Sequence, residues 1–206
     1  YMGHCGEISN VKIKGVGAMK KNNVLYTIIF LIAIFVSSVV SSKIHAFNYP
    51  FSDNMENTSS GNWILSLPWG YTSSVSHGGS YCITDSPVGS YSNSIDISAT
   101  LSQGIDMTTA IMPVLTFWHK YSLETSKDWG FVDVSTDSGK TWSSIYFVTG
   151  TSADWKEEKI DLTPYSWLPD VRIRFRLTSD SANTQDGWYI DDGSINETTA
   201  SISFPF

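Results

Sequence analysis

Beyond Ala46 the chain never settles into the three-to-four-residue apolar spacing of an amphipathic helix. Short alternating or apolar runs recur instead, separated by clusters of Gly, Pro, Ser, Asn and Asp, the pattern of an all-β sandwich. The runs predict strands over residues 63–65, 80–83, 99–101, 114–121, 131–135, 145–148, 155–162, 171–177 and 188–191, with a last one within 201–204. Residues 114–121 begin apolar on both faces, so they belong inside a sheet rather than at its edge.

The run 171–177 is the clearest. Val171, Ile173, Phe175 and Leu177 share one face, and Arg172, Arg174 and Arg176 share the other. A slip of one residue would turn three arginines into the core, so the register is tightly specified. With so many acids in the chain, the arginine stripe is expected to pair across strands. Ser135-Thr136-Asp137-Ser138-Gly139-Lys140-Thr141-Trp142 fits the Ser-x-Asp-x-Gly-x-Thr-Trp hairpin known as the Asp-box. Asp137 and the hydroxyls should bond turn amides, Gly139 supplies permissive backbone and Trp142 packs the hairpin. The motif occurs once, which argues against a repeated propeller.

The termini set the compartment. Residues 1–18 carry no recognisable protein signal and are expected to be an untranslated or disordered leader. Residues 19–46 combine Met19-Lys20-Lys21, the uncharged run 24–36, small residues and a terminal Ala46, the layout of a secretory signal peptide. The remainder, 47–206, is sized for one domain. It holds eight Lys+Arg against nineteen Asp+Glu, a net charge of −11. That balance disfavours nucleic acid and anionic membranes and favours divalent cations. After signal cleavage no membrane segment is expected. Cys82 is alone in this part of the chain, so it has no intramolecular disulfide partner and reads as a small buried side chain.

Catalytic constellations are missing from the sequence. It contains no His-Glu-x-x-His zinc motif, no Gly-x-Ser-x-Gly elbow and no phosphate-binding glycine loop. Glu157-Glu158-Lys159-Ile160-Asp161 lacks the spacing that places a glycosidase's acid and nucleophile on one strand face. An enzyme is therefore not expected. Trp63, Trp69, Tyr71, Trp129 and Trp167 lie in or beside loops, and aromatic rings there can stack on sugars. Trp69 and Trp129 are the candidate ligand-binding residues.

The order of several segments resembles the MAM-like and immune inhibitor A-type modules, concanavalin-like jelly rolls of secreted bacterial proteins. The segments are Thr84-Asp85-Ser86-Pro87, Ile105-Asp106-Met107, Leu115-Thr116-Phe117-Trp118-His119, the Asp-box, Ile160-Asp161-Leu162 and Asp186-Gly187-Trp188-Tyr189-Ile190-Asp191-Asp192. Gly193 departs from the pattern, which has a β-branched residue there. The resemblance implies a two-sheet antiparallel β-sandwich in which Phe51-Ser52-Asp53-Asn54-Met55-Glu56 lies beside the strand at 188–191. It further implies a structural calcium held by Asp53, Glu56, Asp191 and Asp192, since calcium takes oxygen ligands from loops and strand ends. The function it implies is a non-catalytic recognition or adhesion module, accessory to a larger secreted peptidase or surface adhesin. Its partners would be an extracellular glycan or protein surface, or other domains of the same polypeptide. A stand-alone carbohydrate-binding lectin and, further off, a glycan-cleaving enzyme are the alternatives.

Overall fold

A computed structural model describes residues 46–198. The leader, most of the signal segment and the strand expected within 201–204 lie outside the described residues. The regular elements of the described chain are nearly all strands: β1 (Ala46–Asn48), β2 (Phe51–Asp53), β3 (Trp63–Leu65), β4 (Gly70–Thr72), β5 (Cys82–Thr84), β6 (Asp96–Leu101) and β7 (Gly104–Asp106) come first. Then follow β8 (Pro113–Ser122), β9 (Trp129–Ser135), β10 (Ser143–Val148), β11 (Thr151–Asp161), β12 (Arg172–Thr178) and β13 (Gly187–Glu197), with a short 3-10 turn at Thr163–Tyr165.

Two antiparallel sheets form the sandwich. One runs β10-β9-β12-β6-β3; the other runs β11-β8-β13-β5-β4, with β2 also paired to β13. β1 and β7 make a small parallel pair. As the apolar run anticipates, β8 is internal, between β11 and β13. The strands β1, β2, β4 and β7 are three residues each, too short to leave a period-2 signature of their own.

The alternation in β12 does what its sequence requires. Ile173, Phe175 and Leu177 are buried, while the arginines face outward. Phe175 meets Phe117 of β8 at 5.1 Å and Trp188 of β13 at 5.7 Å, so the two sheets interlock through aromatic edges. Each such side chain contributes roughly 1.5–3 kcal/mol of burial before entropy is counted. Cys82 is buried and unpaired, and burial pushes its thiol up to about 12. The Asp-box closes β9 to β10 as its residues predict. Asp137 accepts from the Lys140 and Thr141 amides and from the Ser135 and Thr141 hydroxyls, and the Trp142 indole donates to the Gly139 carbonyl.

β13 does not stop at the acid pair. It continues to Glu197 through a register shift between Asp191 and Ser194, with Asp192 at φ +48°. Such a bulge turns two successive side chains to new directions. A Cβ at Gly193 would meet nothing closer than 3.7 Å, so this glycine is a local departure and not a strand end.

Candidate functional site

Of the four carboxylates expected to hold calcium, Glu56, Asp191 and Asp192 bond the loop at residues 76–81, while Asp53 is held by Met55, Asn62 and Trp63 instead. Asp191 is fully buried, and its oxygens accept from the His77, Gly78 and Asp192 amides at 2.8–3.2 Å. Burial raises its pKa, the three amides pull it back, and neighbouring Asp192 raises it again. Asp192 accepts from His77 Nδ1 at 2.7 Å, and the imidazole lies flat on Trp118, 3.7 Å between centroids. Glu56 Oε1 accepts from the Ser80 and Tyr81 amides at 2.8 Å. Asp53 is committed on both oxygens: Oδ1 to the Met55 amide, Oδ2 to Asn62 Nδ2 and the Trp63 indole.

These contacts separate the quartet. Asp53 and Asp191 have their oxygens spoken for by protein donors, which suits a capping role. Glu56 Oε2 and Asp192 Oδ1 accept no protein donor among the described residues. The loop is shaped around them: a Cβ at Gly79 would lie 2.4 Å from the Glu56 carboxyl carbon, and one at Gly78 would lie 2.7 Å from Asp192 Oδ2. Glu56 and Asp192 thus each keep one carboxylate oxygen free, but the expected quartet does not form a close metal-holding group among the described residues. Beside them, Ser52, Asp53, Asn54, Asn57, Ser60, Asn62, Asp192 and Ser194 line a polar hollow of about 480 Å³.

A tighter acidic group lies elsewhere. Ligand oxygens of Glu124, Asp128 and Asp180 come within 4.8 Å of one another, a geometry able to hold a metal ion. Asp128 is fully buried; it accepts from the Tyr91 hydroxyl at 2.5 Å and the Asp180 amide at 2.8 Å. Glu124 Oε1 takes Asn183 Nδ2, while its Oε2 is buried without a partner. The sequence reasoning missed this group. Its one signal is strand pairing: Trp129 opposes Thr178, which brings the residues just outside those strands, 128 and 180, together.

The tryptophans divide. Trp69 is 1% exposed and edge-on to Trp188 at 6.5 Å, so it is a core residue and offers no face to a ligand. This corrects its assignment as a ligand-binding residue; the turn closed by the Trp69 amide on the Ser66 carbonyl carries the ring into the core. Trp63 stacks obliquely on Phe175 and ties its indole N–H to Asp53. Trp129 sits on the outer face of the five-stranded sheet, half-buried, beside Phe131 at 6.4 Å and Phe147 at 5.4 Å. Phe147 is 61% exposed. It escaped sequence reasoning because a bulge between Ser144 and Tyr146 sets which of the β10 side chains face outward.

Cross-strand register lays this outer face out in rows. One row reads Phe147, Phe131, Arg176, Ser98 and the next Ser144, Asp133, Arg174, Thr100, Ile64. Asp133 is 1% exposed, and its Oδ2 accepts from Arg174 Nη2 at 2.6 Å, Arg174 Nε at 3.0 Å and Arg176 Nε at 2.9 Å. Burial alone would raise its pKa, but Ser144 and the two arginines outweigh that and hold it below the usual range. Arg174 and Arg176 thus pair across strands as their setting predicts, while Arg172 bonds Asp170 beside it in the chain. The guanidiniums also lie over rings, Arg174 on Trp142 at 4.3 Å and Arg176 on Phe131 at 4.5 Å.

A two-sheet jelly-roll sandwich with an aromatic and polar sheet face is the class of fold found. No family model matches the chain. It is 34% identical over 83 residues to Bacillopeptidase F of Bacillus subtilis (strain 168), covering 40% of this chain and 6% of that protein's length. Among solved structures, the K1 cleaved adhesin domain of Lys-gingipain from Porphyromonas gingivalis W83 superposes with a TM-score of 0.53 at 15% identity. The match covers 72% of this chain and 98% of that one. The C-terminal family 22 carbohydrate-binding module of Clostridium thermocellum Xyn10B gives 0.51 at 13% identity, over 74% and 96%. At these identities the likeness is one of fold.

Proposed function

We propose that this domain is a non-catalytic extracellular recognition module of the MAM-like, immune inhibitor A type, accessory to a larger secreted peptidase or surface adhesin. Its ligand is a glycan bound on the outer face of the five-stranded sheet. The observation that carries the reading is the pair Trp129 and Phe147 at the surface, packed beside Phe131, whose face Arg176 covers, and continuous with a row of hydroxyls and fixed guanidiniums. Rings supply the stacking surface and the neighbouring polar groups orient hydroxyls, which is how ligand sites divide their work. Support comes also from the adhesin and carbohydrate-binding modules that share the fold, and from the partial match to a secreted peptidase much longer than this chain.

The test is a glycan array read with the wild type and with Phe147→Ala. Binding that drops at least about tenfold (about 1.4 kcal/mol) in the variant, with an unchanged melting temperature, supports the reading. Binding to no glycan, or binding indifferent to Phe147, overturns it.

Calcium belongs to the same proposal as a structural ion. Glu56 and Asp192 would hold it, pinning loop 76–81 to the β13 bulge and relieving the repulsion between Asp191 and Asp192. A rise in melting temperature on adding calcium to chelated protein, absent in Glu56→Gln, is the expected result. An identical melt with and without chelator removes the ion.

A further inference from the structure

The geometry points to an acidic glycan, a polymer bearing uronate carboxylates, as the ligand of this sheet face, with Arg174 and Arg176 as the groups that read its charge. This rests on the sheet face being the binding site.

The charge on the face is unevenly shared. Two guanidiniums lean on one carboxylate oxygen, Asp133 Oδ2, and that carboxylate is 1% exposed. The second acid near them, Asp96, lies 3.5 Å from Arg176 Nη1 with its side chain 67% exposed. A solvated pair of that kind contributes little and yields readily to a competing anion. Nη1 of Arg174 and Nη2 of Arg176 have no protein partner among the described residues, while the arginines keep about a fifth of their side-chain surface exposed. Each guanidinium is pre-oriented by its ring and by Asp133, so little entropy is lost when it meets a carboxylate. Charge-assisted hydrogen bonds of this kind are roughly twice as strong as neutral ones.

The placement fits a sugar acid more than a free anion. Arg176 sits over Phe131, which pairs with Phe147 and neighbours Trp129. The Phe131 ring beneath that guanidinium lies 6.4 Å from Trp129 and directly opposite Phe147, so a sugar ring stacked on either lies beside the guanidinium. Ser98 and Thr100, opposite Arg176 and Arg174, supply hydroxyls on the far side. The net charge of −11 over residues 47–206 means that no general attraction draws a polyanion to this protein. Beyond a Debye length of about 8 Å at physiological ionic strength that repulsion is screened, and the local guanidiniums decide.

The experiment varies the ligand first, so that folding of a variant cannot confuse it. Binding of the whole chain to short oligogalacturonides is measured by calorimetry at physiological ionic strength, against the same oligosaccharides fully methyl-esterified and against neutral xylan and galactan fragments. The expected result is at least tenfold tighter binding to the free acid, reduced at least tenfold in Arg176→Gln. Equal binding to acid, ester and neutral fragments overturns the charge preference while leaving the sheet-face reading intact. Acid-selective binding that is unaltered in Arg176→Gln assigns the carboxylate to another group and also overturns it. Binding to none of these fragments, with neutral glycans bound on the array through Phe147, overturns the acidic class. Silence on every glycan removes both readings.

Discussion

A tryptophan at the end of a short strand can pack inward or stand in solvent, and residue type alone does not decide between them. Trp69 packs inward: it meets Trp188 edge-on, and its indole N–H has no partner. Truncating it should cost about 3–5 kcal/mol, the range for large aromatic-to-alanine changes in cores. Trp69→Phe, which removes the unpaired donor, should cost far less. Neither change should alter glycan affinity of the folded fraction. Phe147→Ala is the mirror case, within about 0.5 kcal/mol in stability because the ring is mostly exposed, but costly in binding. Chemical denaturation alongside binding separates the two patterns; a Trp69 variant that folds normally yet fails to bind would return that residue to the site. The sequence placed Trp129 rightly at a loop edge, yet it offered no cue to Phe147, whose direction depends on the β10 bulge. The acid pair 191–192 was legible as a special position, whereas the division of labour between the two depends on amides of a loop more than a hundred residues away.

At the scale of elements, strong periodicity and one motif carried most of the fold. The arginine-apolar alternation fixed β12, and the Asp-box fixed the β9–β10 connection, because both patterns are local and repeat over several residues. Among the three-residue strands β3 was read at its bounds and β5 in part, but β1, β4 and β7 were not legible, since their pairing is dictated by the strands beside them. Gly130 illustrates a constraint that only the packed sandwich reveals. It sits in β9 where an added Cβ would come within 2.7–2.9 Å of the Trp188 ring and within 2.9 Å of Val148. The indole fills the space that the missing side chain leaves. Gly130→Ala should therefore destabilise by roughly 1–3 kcal/mol, the usual cost of overpacking. Equilibrium unfolding checks it, and a neutral Gly130→Ala would mean that Trp188 yields more easily than its contacts with Phe175, Trp69 and His119 suggest.

For the molecule as a whole, two buried titratable groups oppose one another. Asp85 is fully buried, with Oδ1 accepting from the Trp188 amide at 2.6 Å and Oδ2 unpaired; burial pushes its pKa up to about 7. The folded state thus keeps a proton that the unfolded chain, with an ordinary aspartate near 3.8, has released. Asp85's contribution to stability is greatest in acid and declines as pH climbs from about 4 to 7. His119 runs the other way. Burial, helped by Lys156, lowers it to about 4 from 6.5, and its Nδ1 accepts the Trp188 indole N–H at 3.2 Å. The unfolded chain takes up a proton that the folded one refuses, so stability is lost as pH falls from 6.5 to about 4. Across that window the two slopes have opposite signs and offset each other; Asp191, raised by burial, adds to the Asp85 side. The wild type's melting temperature should therefore change little from about pH 4 to 6.5, with a shallow decline toward the upper end contributed by Asp191. Asp85→Asn should unmask the histidine, with melting temperature rising with pH over the window. His119→Gln, which keeps an acceptor for the indole, should show the reverse, a decline from pH 4 to 7. Thermal melts of the three proteins decide it. If the Asp85→Asn profile runs parallel to that of the wild type, Asp85 is already ionised in the folded core, and its unpaired oxygen has found a partner such as a buried water.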